Sequence, residues 1–71
     1  MVYELKPIAI EAAQRAVDNG AIVSKLRSGF YSGGHCYNHV LTTKRDTSYR
    51  VSDWVFKALA IKPGTDIQTI G

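Results

Sequence analysis

The sequence holds a single cysteine, Cys36, so no disulfide can form within the chain. Small secreted domains commonly offset thin cores with several bridges, so this points to a reducing, cytoplasmic setting. No apolar run approaches the ~20 residues needed to span a bilayer. The start, Met1-Val2-Tyr3-Glu4-Leu5-Lys6-Pro7, has no basic stretch leading into an apolar one and does not read as a signal peptide. The six acidic residues are scattered, which leaves no carboxylate pair for acid–base catalysis. No serine sits in a nucleophile-elbow pattern. Ser28-Gly29-Phe30-Tyr31-Ser32-Gly33-Gly34 lacks the Gly-Lys-Ser/Thr ending of a phosphate loop and reads as a turn. These absences point away from an enzyme and from a cofactor.

What remains is the composition of one folded domain, residues 1–71. The chain is 45% hydrophobic and 21% charged, too apolar for a disordered tail. A chain of about 60 residues buries only ~60% of its unfolded surface, so the core is thin and a homodimer is a ready way to extend it. The net charge of +3 is unevenly spread. Residues 22–52 set Lys25, Arg27, Lys44, Arg45 and Arg50 against Asp46 alone, while residues 1–21 sum to −1 and residues 53–71 to zero. Positive charge gathered in the middle of the chain suits an anionic partner.

Apolar periodicity predicts a helix over residues 8–18, with Pro7 in its first turn and Asn19-Gly20 at its end. Ile8, Ala9, Ile10, Ala12, Ala13, Ala16 and Val17 share one broad arc; Glu11, Gln14, Arg15 and Asp18 fill the opposite side. Residues 21–27 switch to period two, with Ile22 and Leu26 expected to face the helices and Lys25 and Arg27 to face away. His35–Thr42 and Ser48–Ser52, rich in β-branched and aromatic residues, flank a polar Thr43-Lys44-Arg45-Asp46-Thr47 and read as a hairpin with a basic tip. Ser52 suits the N-cap of a short apolar helix that Lys62-Pro63-Gly64 terminates. Apolar residues surround that helix, so it is expected to be buried, or buried in part against another subunit. Residues 65–71 read as a fraying tail or a short edge strand.

The expected fold is therefore α+β, in the order α-β-β-β-α. A small antiparallel three-stranded sheet is packed by two helices, with room for a fourth strand at residues 2–5. Double-stranded-RNA-binding domains share that order, but carry a basic cluster on a longer second helix; here that helix offers only Lys57.

His35, Cys36 and His39 invite a metal reading, which strand spacing opposes. On a strand the two histidines lie about 13 Å apart, with Cys36 on the other face. Cys36 is expected to be a small buried hydrophobe and the histidines half-exposed. The sequence instead supports a non-enzymatic binding protein. In its first form, Lys25, Arg27, Lys44, Arg45 and Arg50 meet nucleic-acid phosphates, and Tyr37 or His39 touches bases. Tyr37 and His39 share one side of the middle strand, and which side is exposed is left open. In its second form, the hairpin and the Phe30-Tyr31 loop dock on a larger protein, as accessory proteins of phages and plasmids do.

Overall fold

The computed structural model describes residues 4–71. In chain order these form α1 (Ile10–Asp18), β1 (Ile22–Ser32), β2 (His35–Thr42), β3 (Ser48–Ser52), α2 (Asp53–Ala58) and β4 (Thr69–Ile70). The fold is small α+β with two helices, but its sheet has four strands and is mixed, in the order β3-β2-β1-β4. The added strand comes from the tail. Lys25 donates to the Gln68 carbonyl at 2.8 Å, and Thr69 and Ile70 run parallel to Lys25 and Leu26. Among the described residues no helix is long and apolar enough to cross a membrane.

The strand expected at residues 2–5 falls partly outside the described residues, and Glu4 and Leu5 are not in a strand. The chain touches the sheet slightly later, where Pro7 forms one parallel bridge to Arg50. Arg50 donates to the Lys6 carbonyl at 3.1 Å, and Ile8 donates to Arg50 at 3.3 Å. Pro7 thus lies outside α1 instead of in its first turn. A sheet edge tolerates its missing N–H as well as a helix start does.

Gly20 ends α1 as the sequence predicts. At φ +93 it lies in the left-handed region, which lets Gly20 donate to Val17 at 3.0 Å and Ala21 to Ala16 at 2.9 Å. Those two bonds satisfy carbonyls that the helix end leaves open. Gln14 fastens α1 to the chain beyond α2. Its Oε1 accepts from the Ala60 N–H at 2.8 Å, while its Nε2 donates to the Ala60 carbonyl at 3.2 Å.

β1 is longer than the sequence suggests, because residues 28–32 are strand and only Gly33-Gly34 turn. Both glycines have positive φ, 58 and 85, the requirement of a two-residue turn whose twist matches the hairpin. The ladder is regular from Ile22↔Thr42 to Lys25↔His39 and again from Phe30↔Tyr37 to Ser32↔His35. Between these stretches Leu26, Arg27, Ser28 and Gly29 lie against Asn38 alone. Asn38 is also the extra residue toward β3, where Tyr37 pairs with Ser52 and His39 with Val51. Each bulge exchanges the faces of the residues beyond it.

Register partners share a face, so Val23, Lys25, His39, Leu41, Tyr49 and Val51 point to one side. That side carries the helices: Val23, Leu41 and Val51 form the core with Ala13 of α1, Val55 of α2 and Leu59 just beyond. The expected orientation of β1 is therefore reversed. Val23 is 6% exposed in the core, whereas Ile22 is 66% exposed. On the other side, which carries no helix core, Leu26, Val40 and Tyr37 are nevertheless 4–5% exposed. Phe30 stacks on Tyr37 there, with ring centroids 5.2 Å apart. The Arg50 guanidinium lies 4.7 Å from the Tyr37 ring centre. Cys36 is exposed, not buried as expected, because past the bulge it lies opposite Tyr31 near the free end of the hairpin.

Candidate nucleic-acid interface

Residues 43–47 turn tightly. Asp46 donates to the Thr43 carbonyl at 2.9 Å, and Thr43 donates to Thr47 at 2.9 Å. Asp46 has φ 64, the left-handed conformation that closes a three-residue hairpin loop. The Thr47 N–H also reaches Thr43 Oγ1 at 3.3 Å. This bonding fixes the backbone and leaves Lys44 and Arg45 on the outer bend, both exposed.

The tip does not project freely. A side-chain carbon at Gly20 would sit 2.7 Å from Lys44 Cε and 3.2 Å from its Nζ, so the lysine stem crosses the end of α1. Its ammonium lies beside the C-terminal end of α1, the end of a helix that carries partial negative charge. Between loop and helix lies a shallow groove of about 370 Å³, lined by Lys44, Arg45, Thr43, Thr47, Asn19 and Tyr49. Two cations, three hydroxyls and an amide there are suited to holding phosphate oxygens.

The other expected contacts do not join this groove. Lys25 and Arg27 are exposed on β1, Lys25 on the helix side and Arg27 in the bulge. Arg50 is half-buried over Tyr37 and Phe30. The Asn38 bulge separates Tyr37 from His39. Tyr37 is 5% exposed on the face without helices, and His39 is 8% exposed beneath α2. Neither reaches a base from those positions. His35 is exposed at the start of β2, and among the described residues no three His, Cys, Asp or Glu side chains gather as a metal site would require.

Phe30 lies flat on Tyr37, whereas Tyr31 is 71% exposed. Trp54 on α2 is 54% exposed, so within one chain this helix is buried only in part. Sequence reasoning passed over Asn19, Thr43 and Thr47. Thr43 and Thr47 sit in the basic loop and were legible as polar neighbours, but nothing local places Asn19 beside them. His39 titrates below the ordinary histidine range, chiefly because burial disfavours its charged form and secondarily because of Lys25; Asp53 partly opposes both. No family model, curated protein or solved structure matches the chain.

Proposed function

We propose that the chain is a small non-enzymatic protein that binds nucleic acid through the β2–β3 hairpin tip. The observation that carries this reading is the pairing of Lys44 and Arg45 over a groove of hydrogen-bonding groups, on a loop whose backbone is already fixed. A fixed loop loses little entropy on binding, and its cations gain from counterion release. With Tyr37 and His39 buried, the contact is chiefly to phosphate and carries little sequence preference. Lys25 and Arg27 serve as outlying charges that add to long-range attraction.

The test is retention of the purified chain on nucleic acid over a range of salt. Affinity should fall steeply as salt rises, and Lys44→Ala with Arg45→Ala should lower the slope of log K against log salt by about 2. Lys57→Ala is the control, because Lys57 is paired with Asp53 at 3.3 Å. Absence of binding at low salt, or equal slopes for parent and double variant, defeats the reading.

The 71% exposure of Tyr31 favours a second reading, docking on a larger protein. Since Phe30 is engaged by Tyr37, the anchor falls to Tyr31 with the hairpin around it. Tyr31→Ala should then remove a stoichiometric co-purifying protein without lowering the melting temperature. Co-purifying nucleic acid, seen in the ultraviolet absorbance ratio before and after a high-salt wash, supports the first reading instead.

A further inference from the structure

His39 sits in a central strand with α2 above it. Its ring lies parallel to that of Phe56, 3.5 Å between centroids and 4° between planes. Its Nδ1 is buried and has no hydrogen-bond partner among the described residues. Its register partner on β1 is Lys25, and on β3 it is the uncharged Val51. From α2 it also feels Asp53, whose carboxylate is 3.3 Å from Lys57.

We propose that His39 is a proton-operated latch, keeping α2 on the sheet while its imidazole is neutral and letting the helix lift away once it is protonated. With the proton on Nε2, Nδ1 is only a lone pair lacking a donor. A second proton turns it into a buried donor with no acceptor and adds a positive charge facing Lys25. The imidazolium gains some attraction to the Phe56 ring. Asp53 attracts it too, but that carboxylate is already shared with Lys57. The balance lowers the histidine's proton affinity in the packed state, burial contributing most.

The movable partner is α2, not the strand. β2 is bonded on both sides, by β1 and β3. α2 has six residues, and the Ser52 hydroxyl makes no capping bond to it. A helix that short does not persist unaided, so docking through Val55, Leu59 and Phe56 maintains it. Above a pH of about 6.5 both packed and released states carry neutral histidine, and docking is at full strength. As pH falls below that, the released state takes the proton first. Docking therefore weakens down to the depressed value of the packed state, and the loss levels off beneath it.

The one tryptophan, Trp54, lies on α2 and reports its release. The full chain is titrated from about pH 8 to about pH 4.5, following Trp54 fluorescence, the His39 ring resonances and amide exchange. Exchange in Val55–Leu59, corrected for its intrinsic pH dependence, should rise by up to about tenfold per pH unit. Amides of Val23 and Leu41 should hold, and the α2 midpoint should coincide with that of the His39 ring. His39→Phe keeps a stacking ring without a titrating nitrogen and should abolish the transition, whereas His35→Gln should leave it intact. Three results overturn the latch: α2 signals flat through the His39 titration, sheet and helix melting together, or the transition surviving in His39→Phe. Should that variant fail to fold, agreement or disagreement of the two midpoints in the parent chain decides.

Discussion

The two faces of the sheet bury apolar surface by different means. On the helix side, Val23, Leu41 and Val51 meet Ala13, Val55 and Leu59, an aliphatic cluster supplied by five elements and the residue just past α2. On the other side, Leu26, Val40 and Tyr37 are equally shielded, with no helix core above them among the described residues. There the cover includes Phe30 stacked on Tyr37 and the Arg50 guanidinium over both rings. The first face is held by area and shape, which are non-directional. The second depends on ring geometry, and so on the bulge that turned Tyr37 toward it. A thin domain thus gains a second buried layer, in which the rings of Phe30 and Tyr37 and the Arg50 guanidinium take part.

Leu41→Ala should test the first face hardest. Leu41 is fully buried, and removing it leaves a cavity among aliphatic neighbours, so urea unfolding should show a loss of about 3–5 kcal/mol. Tyr37→Leu keeps apolar bulk on the second face but removes its ring contacts, and should cost less, about 1–2 kcal/mol. If the two losses are equal, the faces are not held differently and the comparison fails. If Tyr37→Leu is neutral, the aromatic layer is decoration on a core formed elsewhere.

This two-sided burial also explains which parts of the fold were legible in the sequence. Helix α1 could be read from its apolar arc and Gly20, and the β2–β3 hairpin from its β-branched strands around a polar tip. The face of β1 could not. Between Ile22 and Arg27 the alternating sets are Ile22, Ser24, Leu26 and Val23, Lys25, Arg27, and the more apolar set reads as the helix-facing one. That choice assumes one buried face. Here Leu26 is buried on the face away from the helices, so apolar count does not mark the helix side. The bulge at Asn38 left no local signal beyond Gly29, and without it Tyr37 and His39 seemed bound to share a side. Lys44 and Arg45 were legible as a hairpin tip. That the tip lies on the end of α1, adding Asn19 to the groove, is a matter of long-range packing, which no short window encodes.

A smaller effect should sharpen the role of the bulge. A Cβ at Gly29 would stand 2.8 Å from the Tyr37 carbonyl oxygen and collide with the Asn38 side chain. The side chain can swing aside; the backbone oxygen cannot. Gly29→Ala should therefore cost about 1–2 kcal/mol in urea unfolding, and adding Asn38→Ala should recover only part of it. Full recovery would show that the strain lay in the amide alone and that the bulge is not closely packed.

The smallest change sets the scale for both faces. Asp46 holds φ 64 in the β2–β3 loop, where glycine adopts the same conformation without a Cβ penalty. Asp46→Gly relieves that strain but gives the unfolded chain more freedom to lose. The two terms nearly cancel, so stability should change by less than about 0.5 kcal/mol. The substitution also removes the loop's one acidic side chain beside Lys44 and Arg45. Affinity for nucleic acid at low salt should therefore rise while unfolding is unchanged, because an exposed charge acts on a distant partner more than on its own fold. A loss of stability comparable to that of Tyr37→Leu would mean that the Asp46 side chain itself organises the tip.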